Sequence, residues 1–380
     1  MQLVRTEDQE LLAKTAADFV AEHSPLSRVR TLRDARDPIG YSPDLWRQMA
    51  ELGWVGIPFP EELGGAGMGL SELAVVMEEL GRVLAPEPFL SSVLLGGGAV
   101  MLAGTDEQKK AWIPEVAGGR TQLTLAWQEP GSRHHLQRVA TRAEKEGGGY
   151  RLVGEKIQVL DGTSADALVV TARVSGADDD PAGIGLFLVR RDAPGLVAER
   201  QWRVDSRACA RLELRDVRVA EEDVLGEPGA ALPVLEEVVD RATVGLCAEM
   251  LGGLSEAFDR TLAYLKVREQ FGVPIGSFQA LKHRAARMFV ERELSRSAVM
   301  AAAAAMDQGN PEARKLVSLA KARCSDAFVL IGNEAIQMHG GIGMTDEHDI
   351  GFFLKRARAA EMTFGDAAAH RDRWARLSGY

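Results

Sequence analysis

The chain has 380 residues and a formal net charge of −10, a length that suits two or three domains or one large composite unit. With 46% hydrophobic and 26% charged residues it has the balance of a globular protein with a sizeable core, which excludes disorder, collagen-like repetition and a disulfide scaffold. The acidic balance also excludes a global positive field for nucleic acid or anionic lipid.

Residues 1–120 read as an N-terminal α-helical domain. Thr6 with Gln9 forms a capping box ahead of Leu11, Leu12, Phe19 and Val20, and His23-Ser24-Pro25 ends that helix. Ser42-Pro43 supplies an N-cap and an N1 proline for a helix carrying Leu45, Trp46 and Met49, which stops at Gly53. Ser71 is expected to open a third helix, and Thr105 with Gln108 makes a second capping box. Pro58-Phe59-Pro60 and Gly64-Gly65-Ala66-Gly67 form a loop. Over 121–227 the period changes to short alternating runs such as TQLTLAW, DALVVTARV and ARLELRDVRV, separated by Gly, Asp and Pro clusters. That spacing predicts a small antiparallel β-barrel or sandwich as the middle domain. No G-x-G-x-x-G follows a strand, so a nicotinamide-binding fold has no support.

From 228 to 380 the pattern is helical again and predicts a four-helix bundle, giving an α+β (mainly α) chain overall. Pro233 and Ser277 are expected to start helices, and Gly309-Asn310-Pro311 breaks one. Val317, Ala320, Cys324, Phe328, Ile331 and Ala335 mark one apolar face. The run MAAAAAM at 300–306 reads as a strong helix former at a close packing surface. Cys209, Cys247 and Cys324 are far apart and odd in number, which fits a reducing compartment and no CxxC metal site. His134-His135 has no accompanying ligand cluster and reads as loop, so no metal is expected. With no apolar signal segment and no run near the ~18 apolar residues of a membrane span, a cytoplasmic protein is expected.

Three segments carry a more specific signal: LGWVGIPFPEELGGAGMG (52–69), REQFGVPIGSFQALKH (268–283) and QMHGGIGMTDEHD (337–349). In sequence, order and spacing they resemble the acyl-CoA dehydrogenase family, and the resemblance covers essentially the whole chain. It implies a helical, β, helical subunit in a dimer of dimers, with FAD bound across a subunit interface. The reaction it implies is α,β-dehydrogenation of an acyl-CoA thioester, with a carboxylate as base and an electron-transferring flavoprotein as acceptor. In that register Arg268 would pair with the FAD pyrophosphate, where a guanidinium fork suits phosphate oxygens. Phe271 would pack on the cofactor, Gln279 would bond near the adenosine, and Gln337, Gly340 and Gly341 would form the second contact.

Other positions depart from the family pattern. Its Thr-Glu-Pro-x-x-Gly-Ser-Asp segment reads Gln128-Glu129-Pro130-Gly131-Ser132-Arg133-His134-His135 here. Its Trp-x-Thr flavin wall matches Gln158-Val159-Leu160, and Leu160 cannot donate a side-chain hydrogen bond. The catalytic Glu-Gly-Thr falls on Phe364-Gly365-Asp366, and phenylalanine cannot take a proton. The alternative base position of the isovaleryl and long-chain branches is Ala242, followed by Thr243. Glu249 lies two helical turns beyond Ala242 and is a substitute base with an expected raised pKa, or a buried partner of an arginine. Asp240 is a second candidate, Glu361 and Asp366 more remote ones.

Residues that reach a partner's FAD are thus kept, and those that line the chain's own flavin and base site are altered. That pattern suits a subunit completing the FAD site of a catalytic partner in a heterotetramer, as in heteromeric steroid side-chain members of the family. The alternatives are a self-sufficient homotetramer using Glu249 or Asp240, and a flavin-free acyl-CoA-binding or structural homologue.

Overall fold

A computed structural model describes residues 4–380. The helices before the sheet are α1 (Glu7–His23), α2 (Ser27–Asp34), α3 (Pro43–Glu51), α4 (Leu70–Arg82), α5 (Gly98–Ala103) and α6 (Asp106–Ala117), with a π-helical turn at Phe89–Gly97. Eight strands follow: β1 (Leu123–Ala126), β2 (Arg142–Glu146), β3 (Gly149–Leu160), β4 (Ala167–Arg173), β5 (Ile184–Arg190), β6 (Leu196–Arg200), β7 (Cys209–Ala220) and β8 (Val224–Gly229). The long helix α7 (Leu232–Val267) leads to a hairpin of β9 (Glu269–Gln270) and β10 (Val273–Pro274), then to α8 (Gln279–Asp307), α9 (Ala313–His339), α10 (Ile350–Met362) and α11 (Ala367–Leu377). The chain forms two compact units. The first holds the chain up to Thr31, Leu70–Ala85 and Thr243–Tyr380; the second holds Leu32–Gly69 and Pro86–Ala242.

The second unit is organised by one sheet in the order β6-β7-β3-β2-β4-β5-β8, with β1 paired to β4. Most pairs are antiparallel as expected, but β1 runs parallel to β4, and β2 meets β4 in parallel at Arg142 and Arg173. Its core is the alternating apolar set Leu152, Leu168, Val170, Phe187, Leu212, Leu214 and Val217, so period two in sequence becomes one buried face. A register shift in β3 between Lys156 and Val159 is a bulge that redirects the strand just before Leu160.

The first unit is a helical assembly built around α7. Glycines let two helices touch backbone to backbone: a Cβ at Gly81 of α4 would lie 2.1 Å from the Glu249 carbonyl, and one at Gly252 of α7 would lie 1.8 Å from that of Glu78. This crossing fixes where Glu249 sits. On α8, Ala301, Ala302, Ala303 and Ala305 are buried, and the predicted α9 face from Val317 to Ala335 is buried throughout. Glu78 is buried between Arg5 at 2.7 Å and Arg296 at 2.6 Å.

Several local expectations shift. Both capping boxes are present, but α1 buries Ala13, Ala16 and Val20 and leaves Leu11 exposed. Ser71 does not cap α4. The amides of Leu70 and Ser71 donate instead to Asp307, at 2.7 and 2.9 Å, so the cap comes from the end of α8. Helix α8 starts at Gln279 after Phe278, and Ser277 lies in a preceding 3-10 turn. Among the described residues no helix is long and apolar enough to cross a membrane.

Candidate functional site

In the first unit, Arg268, Phe271 and Gln279 belong to one substructure. Arg268 follows α7, with its N–H on the Tyr264 carbonyl, and its own carbonyl accepts from Ile275 N–H at 2.8 Å. Between them the β9–β10 hairpin turns through Phe271 (φ +56°) and Gly272 (φ +77°). Two positive φ values are what a type I′ turn requires. A bulky residue in that region is an outlier, and Phe271 is 93% exposed, with only an edge contact to Phe278 at 6.1 Å between ring centroids. Gln279 is exposed on the first turn of α8. The Arg268 guanidinium is exposed, with no carboxylate partner among the described residues.

The second contact element is bolted to the first. Tyr264, near the end of α7, stacks on His339 at 4.4 Å, and His339 meets His348 at 4.7 Å between ring centroids. His339 is buried and donates from Nδ1 to the Ala335 carbonyl, 2.7 Å away, and burial holds its pKa below the ordinary imidazole value. The next residues are Gly340 and Gly341. Gly340 has φ +64° and ψ −142°, closed to other residues, and a Cβ on either glycine would meet nothing within 4 Å. Among the described residues no atom requires glycine at 341. Exposed Gln337 completes the element, so all six expected cofactor contacts of this unit are surface groups on the α7–α8 connection and the end of α9.

The acids behave differently. Glu249 is buried and forked by Arg356 of α10, with Nε at 2.7 Å and Nη2 at 3.2 Å. The carboxylate therefore has the partner named in the second of its two expected roles, a buried glutamate paired with an arginine of a neighbouring helix. Asp240 is buried within α7, in the part belonging to the second unit. Glu361 pairs with Arg358 at 2.7 Å, and Asp366 caps α11 by accepting from Ala369 N–H at 2.8 Å. Phe364 lies between them at φ +61°. The loop is tied down by Lys321, a residue the sequence reading missed. Its ammonium donates to the carbonyls of Glu361 (2.9 Å) and Gly365 (2.7 Å) and to Ser325 Oγ (3.1 Å).

In the second unit, Gln128 is set by its neighbour. Buried Glu129 accepts from Ala140 N–H at 2.6 Å and from Lys156 Nζ at 2.5 Å. Burial pushes Glu129 up, but the Lys156 charge and these hydrogen bonds outweigh it and hold the carboxyl below its usual range. Burial brings Lys156 down to about 8. The Gln128 carbonyl accepts from Ile157 N–H at 2.8 Å, while its side-chain amide has no partner among the described residues. Leu160 follows the β3 bulge, its carbonyl accepting from Thr124 Oγ1 at 2.7 Å. Next to it is a second missed group, Asp161, which accepts from Ser91 Oγ at 2.5 Å. Burial pushes Asp161 up to about 6, opposed by Ser91 and the charges of Arg207, Arg200 and Arg203. Among the described residues no His, Cys, Asp or Glu cluster could hold a metal.

The comparisons agree over the full length. Family models for the acyl-CoA dehydrogenase N-terminal, middle and C-terminal domains match residues 6–120, 124–217 and 232–378. The chain is 30% identical to "Probable acyl-CoA dehydrogenase YngJ" of Bacillus subtilis, over 98% of both chains. Among solved structures it is similar to a variant of the Tcur3481-Tcur3483 steroid ACAD, with 33% identity, TM-score 0.87 and 98% of both chains covered. It is also similar to a chain of the ChsE4-ChsE5 complex from Mycobacterium tuberculosis, with 28% identity, TM-score 0.90 and 100% of both chains covered.

Proposed function

The chain belongs to the acyl-CoA dehydrogenase family, whose members are FAD-binding oxidoreductases acting on CH–CH bonds, and we propose that it completes the FAD site of a catalytic partner chain in a heterotetramer. One observation carries this reading. The kept residues are exposed, and the Arg268, Gln279 and Gln337 side chains have no polar partner among the described residues, whereas every carboxylate near the usual base positions is already engaged or replaced.

The fit to FAD can be argued residue by residue. Arg268 would hold the pyrophosphate, since an exposed guanidinium at a helix end offers a fork of donors to phosphate oxygens. Phe271 would lie against the cofactor, whose contact repays the strained, solvated conformation of the ring. Gly340 and Gly341 would let the backbone approach closely, and Gln337 and Gln279 would supply amide contacts. Bound FAD supplies the acceptor for the β-hydride of an acyl-CoA thioester. On the chain's own side, Gln128 retains a free amide for a polar cofactor edge, but Leu160 offers no side-chain donor and Phe364 no base. Glu249 in the grip of Arg356 is a poor proton acceptor, which weighs against a self-sufficient enzyme with a relocated base.

The substrate is then a fatty or steroid side-chain acyl-CoA, with an electron-transferring flavoprotein as acceptor. The steroid ACAD and ChsE4-ChsE5 similarities support the heteromeric arrangement. The test is dehydrogenation of a fatty and a steroid acyl-CoA by the chain alone, with an artificial electron acceptor. The expected result is no turnover. Turnover by the purified single chain at rates ordinary for the family (a kcat of roughly 1–10³ s⁻¹) contradicts the reading.

A further inference from the structure

We propose that Lys321 is a positioning residue, clamping the backbone of the 361–365 loop from inside α9 so that residue 364 is the side chain this loop presents. The inference rests on the reading of that loop as a base-bearing segment whose carboxylate has been replaced.

Lys321 is fully buried. A buried ammonium persists only where its charge and donors are answered. Its three N–H donors meet three oxygens, and two of these, the carbonyls of Glu361 and Gly365, bracket Phe364. Between those struts Phe364 at φ +61° and Gly365 at φ +112° hold a turn that is strained at the non-glycine position. A further support comes from α11, where His370 Nε2 lies 3.1 Å from the Phe364 carbonyl. Of the neighbouring acids, Glu361 lies 2.7 Å from the Arg358 guanidinium and Asp366 caps α11.

The titratable groups facing Lys321 are Cys247 from α7, Cys324 from α9, Glu361 from α10 and Asp366 at the start of α11, with His370 on the far side of the loop. Burial outweighs their effect and brings Lys321 down to about 8. Raising the pH through that value removes one of the three donors. The clamp therefore weakens in mildly alkaline solution.

The test is amide hydrogen exchange read by mass spectrometry on the 361–366 segment, with buried α8 and α9 segments as internal references. In Lys321→Met the loop amides should exchange at least about tenfold faster while the references hold, since only the local opening energy changes. In the wild-type chain the loop, corrected for the intrinsic pH dependence of exchange, should loosen between pH 7 and about 9.5. That rise should be missing from the variant. Unchanged loop exchange in a folded Lys321→Met chain overturns the proposal. If that variant does not fold, a flat wild-type pH profile overturns it instead. Neither readout depends on flavin or turnover, so activity of the single chain would refute the heteromeric reading and leave the clamp standing.

Discussion

Two loops of the first unit stand at helix ends and are stabilised in opposite ways. The 268–275 hairpin turns its functional groups outward: Arg268 is exposed, Phe271 is strained and solvated, and nearby Gly340 and Gly341 face open space. The 361–366 loop turns inward, with two carbonyls on Lys321, one on His370, and both flanking acids engaged. A group left unsatisfied at a structural cost points to a partner outside the chain. A loop held from within by its backbone carbonyls, with phenylalanine at residue 364, presents no carboxylate at that position. The contrast is what the proposed role requires, a surface open to a cofactor beside a base position that carries a phenylalanine.

The sharpest way to break this contrast is at Glu249. If it is structural, Glu249→Gln leaves the Arg356 guanidinium buried without a counter-charge, and breaking such a pair costs about 3–5 kcal/mol. Chemical denaturation should show that loss, with FAD retention in the co-expressed assembly unchanged. A variant of wild-type stability that had lost dehydrogenation would make Glu249 a base after all.

Phe271→Ala probes the other side with a smaller effect. Removal of an exposed side chain should move stability by no more than about 0.5 kcal/mol, yet weaken FAD retention by roughly tenfold, about 1.4 kcal/mol. Equilibrium dialysis of the assembly measures it. Equal FAD affinity would show the ring to be irrelevant.

The smallest effect is expected at Asp161, beside the altered flavin wall. Its folded pKa is raised to about 6. Between the ordinary carboxyl value and that point the folded state therefore binds more protons, and stability falls as pH rises through the window. Asp161→Asn removes the penalty. It should stabilise the chain at pH 7 by about 1 kcal/mol, discounted from the full shift because the residue is only partly buried. Thermal melts should show the gain vanishing below about pH 4, and a loss at pH 7 would mean that the ionised carboxylate holds Arg200, Arg203 or Arg207 in place.

Local sequence patterns foretold local structure well. The Thr6/Gln9 and Thr105/Gln108 boxes act over three residues, and the α9 face from Val317 to Ala335 needs only helical period. The cap of α4 was not legible, because Asp307 reaches it from the far end of another helix. An arginine partner for Glu249 was expected but not which one, since the pairing of α7 with α10 is written in no local spacing. Lys321 looked like any lysine on a helix; its burial follows from where the 361–366 loop lands. The parallel pairing of β1 with β4 was hidden for the same reason. Resemblance supplied the candidate cofactor residues, but only the structure distinguished exposed groups from engaged ones.

The most direct measurement is released FAD per chain, for the protein expressed alone, with an acyl-CoA dehydrogenase partner chain, and with the same partner when this chain carries Arg268→Ala. Little FAD alone, recovery on co-expression and loss again with Arg268→Ala is the predicted result. About one FAD per chain in the protein expressed alone, with acyl-CoA turnover and no need of a partner, would contradict it.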